Sequence, residues 1–316
     1  MNKVLIIDKV HPLIREELTA MGFGCDEFPS FTRDDYEAIV ADYTGIVIRS
    51  KIKIDKSFLD KASKLKFIGR VGSGLENIDV AYAEKLGIQC LNSPEGNRDA
   101  VGEHTLGMLL NLLNHICRAD RQVRDGRWIR EGNRGTEIKG KTIGIIGYGN
   151  MGGAFARRLK GFDAEVIAYD KYKSGYSDDF VRETTMAELW ASADIVSLHV
   201  PLTEETLNLA DEVFFGHFKK NIVFLNTSRG QVVKTQALAD ALKQGKVKAA
   251  ALDVLEFEDS SFEALSTDLP SSFKYLLQCD NVLLTPHIAG WTVESNVKLA
   301  TVLVDKIRKV VKGLRI

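Results

Sequence analysis

Three side chains that could act together in catalysis, a cation, a carboxylate and an imidazole, follow apolar segments in the last third of the chain. Arg229 follows "FLNTS", Glu258 follows "ALDVLEF", and His287 follows "LLTP". Parallel strands bring their carboxyl ends to one edge of a sheet, so we expect the three residues to lie near one another. Taken singly, each is more often structural, as a surface ion pair or a satisfied histidine. Their joint chemistry therefore depends on what else reaches that edge.

A glycine-rich segment earlier in the chain predicts the partner for that chemistry. The stretch "TIGIIGYGNMGGAFARRL" (142–159) is an apolar strand, a Gly-x-Gly-x-x-Gly turn and the start of a helix. Gly147 permits the tight turn, Gly149 lets a pyrophosphate approach the backbone, and Gly152 lets the helix pack on the strand. The helix that begins near Asn150 would point its amides at the phosphates. The segment predicts a dinucleotide site.

The residue that ends the next predicted strand indicates which dinucleotide binds. Asp170 lies eighteen residues after Gly152, close to the spacing expected of the acid that binds the adenosine ribose. Its carboxylate would accept hydrogen bonds from both ribose hydroxyls and would repel a 2′-phosphate. NAD is therefore favoured over NADP, although Lys171 and Lys173 would soften the repulsion.

On the cofactor side of such a sheet, the three polar residues fit one reaction. Arg229 would hold a carboxylate bidentately and polarise the adjacent carbonyl. His287 would take a hydroxyl proton as hydride leaves the same carbon, and Glu258 would orient the imidazole. The sequence therefore predicts an oxidoreductase that interconverts a 2-hydroxy acid and a 2-oxo acid.

The elements that would position these residues alternate along the whole chain. Strands are predicted at 3–8, 45–50 and 65–72, helices at 11–23 and 78–87, and a long helix over 100–128. Six further strands are predicted, at "TIGIIG", "AEVIAYD", "DIVSLHV", "IVFLNTS", "KAAALDVL" and "NVLLTP". Strands that are apolar almost throughout are typical of parallel sheets buried on both faces. The predicted fold class is α/β, with two doubly wound parallel-sheet domains.

Composition and charge limit the partners and the compartment. With 42 basic and 43 acidic residues in 316, no net field favours nucleic acid or an anionic membrane. No apolar run approaches the length of about 18 residues that spans a membrane. The four cysteines are scattered, as is typical of reduced thiols in a cytosolic protein. We expect a cytoplasmic protein with a small-molecule substrate, without nucleic-acid, membrane or metal partners.

Several linked motifs resemble the D-isomer-specific 2-hydroxyacid dehydrogenases over nearly the full length of the chain. They are "GYGNMG", Asp170, "HVPLT" (199–203), "NTSRG", "ALDV" with Glu258, and "TPHIAG". The resemblance implies that Arg229, Glu258 and His287 form the catalytic set. It also implies that the NAD cofactor is bound by Gly147, Gly149, Asn150, Met151, Gly152, Asp170, His199, Val200, Pro201, Thr206, Thr227, Ser228, Asp253, Ala289 and Gly290. Among these, Asp253 would face the nicotinamide, and His199 to Pro201 would line the adenosine side.

The resemblance further implies how the chain divides. A Rossmann NAD-binding domain (99–289) would be inserted into a flavodoxin-like substrate-binding domain formed by residues 1–98 and 290–316. Gly96 and Gly290 would permit hinge motion where the chain passes between the domains.

The substrate is predicted from the first domain. The loop "GRVGSGLENID" (69–79) resembles the family's substrate loop, in which backbone amides near Ser73 and Gly74 would hold a carboxylate. Arg49 and Arg70 add cations to the same domain, in an arrangement similar to that of phosphoglycerate dehydrogenases, which need positive charge for a phosphate. The favoured reaction is the conversion of D-3-phosphoglycerate to 3-phosphohydroxypyruvate in serine biosynthesis.

Other readings stay open. If the two arginines are ordinary solvated charges, the substrate is hydroxypyruvate, glyoxylate or another 2-oxo acid. A third reading is a non-catalytic NADH-sensing protein, like the transcriptional corepressors that resemble this family.

Assembly and regulation are also expectations from the resemblance. Family members dimerise through the region around 100–140, so a homodimer is expected. No regulatory domain follows residue 316, so serine feedback by that route is not expected. Asp259 stands where the family usually has proline, and the segment 259–280 is longer than expected.

Overall fold

The chain divides into two units. The computed structural model describes residues 2–259, 265, 266 and 268–314. The terminal unit contains the residues up to Arg98 and those from Trp291 onward, and the central unit contains the described residues from Asp99 to Gly290. Helix α5 (Pro94–Asn114) begins in the terminal unit and ends in the central unit.

The terminal unit is built on a five-stranded parallel sheet. Its strands are β1 (Lys3–Ile6), β2 (Gly24–Glu27), β3 (Gly45–Ile48), β4 (Phe67–Arg70) and β5 (Gln89–Leu91), in the order β2-β1-β3-β4-β5. The helices are α1 (Pro12–Ala20), α2 (Arg33–Ile39), α3 (Lys56–Leu59), α4 (Val80–Lys85) and α12 (Val293–Leu314). This strand order is that of flavodoxin-like folds.

Successive side chains of the β1 strand serve two different cores. Leu5 packs in a cluster with residues of α2, α3 and α4, whereas Val4 and Ile6 pack in a cluster with residues of α1 and α12. Alternate residues of a strand point to opposite faces of the sheet. The sheet is therefore covered by helices on both faces, which explains why its inner strands are apolar throughout.

The central unit is built on a seven-stranded parallel sheet. Its strands are β6 (Thr142–Ile146), β7 (Glu165–Tyr169), β8 (Val181–Glu183), β9 (Ile195–Leu198), β10 (Ile222–Asn226), β11 (Val247–Leu252) and β12 (Val282–Leu284), in the order β12-β11-β10-β9-β6-β7-β8. The helices are α6 (Ile116–Arg124), α7 (Asn150–Arg158), α8 (Met186–Ser192), α9 (Glu212–His217), α10 (Thr235–Lys243) and α11 (Ser271–Gln278). From β6 the chain adds β7 and β8 on one side and then β9 to β12 on the other side. The boundary between β6 and β9 is the topological switch point of a Rossmann fold.

The predicted fold class, two doubly wound parallel-sheet units, is confirmed. No helix in the described part of the chain is long and apolar enough to cross a membrane.

The prediction of a single long helix over 100–128 is wrong. The structure has two helices there, because His115 adopts a left-handed backbone conformation (φ 55°) that ends α5 and precedes α6. Helix α5 also begins at Pro94, earlier than predicted. Part of the 259–280 segment forms α11, and residues 260–264 and 267 lie outside the described residues.

Gly96, one of the two glycines predicted to permit hinge motion, lies at a close contact between two helices. Gly96 lies inside α5, and a Cβ on it would stand 2.6 Å from the backbone of Leu299 in α12. The glycine therefore permits two helices to approach closely. Gly290, the other predicted hinge, is the last residue of the central unit.

Candidate active site

Three neighbouring strands of the central sheet end side by side. β10, β11 and β12 are parallel, and their last residues lie opposite one another in the register. Arg229, Glu258 and His287 occupy the segments that follow these three ends. All three segments thus start from the carboxyl edge, where open α/β sheets bind ligands.

Glu258 and His287 form a direct pair. His287 Nδ1 lies 2.7 Å from Glu258 Oε2, and the side chains are 24% and 12% exposed for His287 and Glu258, respectively. The second Glu258 oxygen accepts the amide of Leu255. Because an ionised carboxylate can only accept hydrogen bonds, Nδ1 carries a proton in this pair. The other ring nitrogen, Nε2, is left to exchange a proton with a substrate.

The backbone of His287 is held in a conformation that few residues adopt. Its φ is 56°, in the left-handed region, where non-glycine residues are uncommon. Its amide donates to the carbonyl of Asp253 at 2.7 Å and to that of Thr285 at 3.1 Å. Such a conformation persists only where the surroundings impose it, and it is typical of functional sites.

The buried carboxylate of Asp253 fixes the same turn. It is 1% exposed and accepts hydrogen bonds from the Thr285 hydroxyl (2.6 Å) and from the amides of Ile288 and Ala289 (both 2.9 Å). Asp253, predicted from the resemblance to face the nicotinamide, thus has both oxygens engaged by the chain that carries His287.

His104, which sequence reasoning missed, lies beside that carboxylate. Its Nε2 is 3.2 Å from Thr285 Oγ1 and 3.5 Å from Asp253 Oδ1. Burial would raise the pKa of Asp253, but the hydrogen bonds from His104, Thr285 and the two backbone amides outweigh it and hold the pKa below its ordinary value. A histidine inside a predicted helix gives no signal of this role, because the contact joins segments far apart in sequence.

The loop of Arg229 is organised by a buried asparagine, which sequence reasoning also missed. Asn226 Nδ2 donates to the Arg229 carbonyl (2.9 Å), and Asn226 Oδ1 accepts from the Ser228 amide and hydroxyl (3.0 and 2.7 Å). A side chain that bonds to the backbone just beyond it is typical of Asx turns, so the Asn at a strand end was an available signal. A Cβ on Gly230 would lie 1.9 Å from the Leu255 carbonyl, so this glycine lets the β10 and β11 loops pack together.

Other predicted cofactor residues at this edge are largely buried. Thr227 is 7% exposed, and its hydroxyl lies 3.0 Å from that of Thr105 on α5. Ser228 is 7% and Ala289 is 2% exposed. These residues would reach a ligand mainly through the backbone.

At two of its three glycines, the predicted glycine turn leaves no room for a larger residue, and at the third it is open. Gly147 has φ +93°, and a Cβ there would lie 2.6 Å from the carbonyl of His199. A Cβ on Gly152 would lie 2.1 Å from the carbonyl of Gly147. A Cβ on Gly149 would meet nothing within 4 Å, so the turn is open at this point. The turn therefore offers space beside bare backbone where a pyrophosphate would lie.

Two further features fit a dinucleotide at this turn. Helix α7 starts with Asn150 and Met151, and no side chain caps its first turn, so its amides are available to an anion. His199 Nε2 is 2.8 Å from Ser197 Oγ, whereas His199 Nδ1 is buried and bonds to no residue that the structure describes. Burial lowers the pKa of His199 to about 3, so the imidazole is neutral.

Asp170 follows β7 and borders the turn. Its Oδ2 accepts the amide of Tyr148 within the turn at 2.8 Å, and its Oδ1 accepts the amides of Tyr172 and Lys173 at 3.0 and 3.1 Å. A carboxylate has about four acceptor positions, so little capacity is left for the two ribose hydroxyls.

The segment after β9 lies on the other side of β6 from Asp170. Val200 is half-buried and Pro201 is exposed. The hydroxyl of Thr206 donates to the Pro201 carbonyl at 2.6 Å and accepts the Thr203 amide at 2.8 Å. Thr206 thus holds the shape of this loop.

In the terminal unit, the two predicted substrate arginines stand beside each other. Arg70 ends β4, and Arg49 directly follows β3, its neighbour in the sheet. Arg70 Nε donates to the Arg49 carbonyl at 3.2 Å, and the Arg49 guanidinium lies 4.4 Å from the ring centre of Trp291. Two cations are therefore held at the carboxyl edge of this sheet.

The predicted substrate loop is fixed by side chains that follow β5. Ser73 Oγ donates to Asn97 Oδ1 at 2.7 Å, the Ser73 carbonyl accepts from Asn92 Nδ2 at 2.6 Å, and Gly72 N donates to Ser93 Oγ at 3.2 Å. Gly74 is half-buried in the same loop.

Comparison with known families agrees with this geometry. Residues 106–289 match the family model of the D-isomer specific 2-hydroxyacid dehydrogenase, NAD binding domain. The chain belongs to this family. Its NAD-binding domain therefore includes the glycine turn and the Glu258–His287 pair.

The chain is similar to enzymes with different substrates. It is 35% identical over 314 residues to D-3-phosphoglycerate dehydrogenase of Archaeoglobus fulgidus, covering 99% of this chain and 58% of that protein. It is 36% identical over 277 residues to hydroxypyruvate reductase of Thermotoga maritima, covering 88% of each. The chain thus spans less than two thirds of the length of that phosphoglycerate dehydrogenase.

Solved structures resemble the whole chain. A glyoxylate reductase from Paecilomyes thermophila superposes with a TM-score of 0.87 at 26% identity, covering 99% of this chain and 96% of that one. A D-lactate dehydrogenase from Aquifex aeolicus, complexed with NAD and lactic acid, superposes with a TM-score of 0.82 at 27% identity and the same coverage.

Proposed function

We propose that this protein is an NAD-dependent D-2-hydroxyacid dehydrogenase. The observation that carries the proposal is the Glu258–His287 pair, joined at 2.7 Å at the carboxyl edge of an NAD-binding sheet. The sheet supplies the cofactor site, and the pair supplies a histidine with one ring nitrogen committed and the other able to exchange a proton.

Each proposed catalytic residue has a defined task. His287 Nε2 takes the proton from the 2-hydroxyl group in oxidation and returns it in reduction. Glu258 orients the imidazole through Nδ1, and Arg229 holds the substrate carboxylate and polarises the adjacent carbonyl. When bound, NAD supplies the acceptor for the hydride. Asp253 keeps the His287 turn in place.

We further propose D-3-phosphoglycerate as the substrate, oxidised to 3-phosphohydroxypyruvate in serine biosynthesis. Support comes from Arg49 and Arg70, placed side by side at one sheet edge, since two guanidinium groups suit a phosphate. The name of the Archaeoglobus fulgidus relative also supports it. The second candidate is the reduction of hydroxypyruvate or glyoxylate, supported by the relative from Thermotoga maritima, whose length the chain covers to 88%.

Two properties of the whole protein are proposed with the activity. The protein acts in the cytoplasm, as its scattered cysteines suggest. It forms a homodimer through the 100–140 region.

The test of the chemistry separates turnover from cofactor binding. We expect His287→Ala to lower turnover by about 10²–10⁴-fold, because general acid–base catalysis contributes about that much. NADH binding, followed by nicotinamide fluorescence, should stay close to that of the unchanged protein. The control is His217→Gln, at a histidine on α9. Near-normal turnover of His287→Ala would contradict the assignment, and NADH binding without turnover of any 2-oxo acid would favour the NADH-sensing alternative.

The substrate is tested by comparing phosphohydroxypyruvate, hydroxypyruvate, glyoxylate and pyruvate with NADH. If Arg49 and Arg70 bind a phosphate, the double variant Arg49→Gln with Arg70→Gln should raise KM for phosphohydroxypyruvate alone. Lys53→Gln, an exposed cation in the same unit, is the control. An equal rise in KM for all four acids would indicate a disturbed fold. No rise would favour the second candidate, the reduction of hydroxypyruvate or glyoxylate.

A further inference from the structure

Two loops of the central unit are joined by an ion pair that the reaction does not require. Lys171, in the loop after β7, places Nζ 2.8 Å from Glu205 Oε1, in the loop after β9. The hydroxyl of Tyr172 donates to the other Glu205 oxygen. β7 and β9 are the two neighbours of β6, so this contact links the loops on either side of the glycine turn.

The position of Lys171 gives this contact its significance. Lys171 directly follows Asp170, the acid that borders the turn. In dinucleotide-binding domains an acid at this point favours the ribose 2′-hydroxyl of NAD, whereas a nearby cation accommodates the 2′-phosphate of NADP. This chain places an acid and a cation in succession, so the cofactor it selects depends on whether the cation is engaged elsewhere.

We propose that Glu205 is a second determinant of cofactor choice, which excludes NADPH by engaging Lys171. The inference rests on the proposed function, because it takes the turn to hold the adenosine end of the dinucleotide. Asp170 disfavours the 2′-phosphate directly, and Glu205 withholds the cation that would otherwise compensate.

The electrostatics favour this role over a structural one. The side chains of Lys171 and Glu205 are 56% and 53% exposed, and exposed pairs contribute little to stability. The hydrogen bond to Glu205 raises the pKa of Lys171, and that to Lys171 lowers the pKa of Glu205, so both groups are charged at neutral pH. Without the carboxylate, Lys171 keeps its charge and gains the freedom to pair with a phosphate.

Lys173 is the other cation near Asp170, and it is placed differently. Its Nζ lies 3.4 Å from the carbonyl of Tyr148, within the glycine turn. Lys173 is therefore not held by Glu205. A gain in NADPH binding that depended on Lys173 would not come from the release of Lys171.

The experiment compares the equilibrium binding of NADH and NADPH, which differ only in the 2′-phosphate, by nicotinamide fluorescence. Glu205→Gln removes the charge and keeps the shape, and Glu204→Gln is the matched control at the adjacent exposed acid. We expect Glu205→Gln to tighten NADPH binding by about two- to fivefold, as for one additional exposed charge contact. NADH binding should be unchanged, and the gain should shrink in high salt.

The double variant Glu205→Gln with Lys171→Gln decides the cause, and it should bind NADPH as weakly as the unchanged protein. The proposal is overturned if Glu204→Gln gives the same gain, if the gain survives loss of Lys171, or if Glu205→Gln gives none. Those results leave the proposed function intact as long as the unchanged protein binds NADH. Failure of the unchanged protein to bind NADH would overturn both.

Discussion

Asp253 shows how a single buried carboxylate can serve a reacting group that it does not touch through its side chain. Its oxygens hold the segment on either side of His287, and its carbonyl accepts the His287 amide. The left-handed backbone of His287 is thereby fixed. A nicotinamide contact, predicted from the resemblance, would have to share a carboxylate that is already engaged.

We expect Asp253→Asn to lower the free energy of unfolding at neutral pH by about 1–3 kcal/mol, since buried amide and hydroxyl donors lose a charged acceptor. The folded-state pKa of Asp253 is lowered, so its contribution is present above the unfolded pKa of about 3.9 and is lost as the pH falls through the folded value. The difference from the unchanged protein should therefore shrink in acid. Urea unfolding at pH 7 and in acid measures it.

The control for this prediction is Asp179→Asn, at an exposed aspartate of the same unit, which should change little. A difference that grew as the pH fell would mean that Asp253 is not a stabilising anion.

Two glycines of helix α5 differ in whether a neighbouring helix leaves room for a side chain. Gly96 and Gly107 both lie in this helix, but a Cβ on Gly96 would press on the backbone of Leu299, whereas one on Gly107 would meet nothing within 4 Å. Two glycines of one helix thus differ only in their surroundings.

We expect Gly96→Ala to lower the free energy of unfolding by about 1–3 kcal/mol, because a backbone neighbour must shift to make room. Gly107→Ala is the matched control and should raise it by up to about 1 kcal/mol, because alanine favours the helix. Thermal unfolding of both variants measures the contrast. If Gly96 were instead a flexible hinge, both substitutions would stabilise the protein alike.

The sequence predicted the strands that form apolar runs and missed three short edge strands. The inner strands are buried on both faces and therefore form apolar runs that are easily recognised. β2, β5 and β8 were missed, and all three are edge strands of three or four residues with few apolar side chains. The break at His115 was missed because it depends on one backbone angle, which the residue type does not reveal.

The same distinction applies to the candidate site. Arg229, Glu258 and His287 were predicted because each follows a recognisable strand, and parallel topology brings strand ends together. His104 was not predicted, because its contact joins segments far apart in sequence, whereas Asn226 bonds to the backbone just beyond it and could have been recognised as a turn residue.

At the scale of the whole molecule, one helix of the central unit is covered only in part by the residues that the structure describes. Helix α6 buries none of its residues, and its apolar side chains Ile116 and Val123 are 54% and 51% exposed. The segment that follows exposes Trp128 (78%) and Ile129 (42%). Monomeric proteins rarely expose large apolar patches, and such patches often mark interaction sites. A second copy of the chain is the partner expected for the 100–140 region.

We therefore expect Trp128→Glu to shift the protein from dimer to monomer, because a buried, unpaired charge opposes association. Sedimentation velocity distinguishes a 35.1 kDa chain from its dimer. Val213→Glu, at a valine on α9 that is 63% exposed, is the control and should leave assembly unchanged. Dimers of undiminished stability in Trp128→Glu would place the interface elsewhere. A monomeric unchanged protein would mean that this apolar surface has another partner.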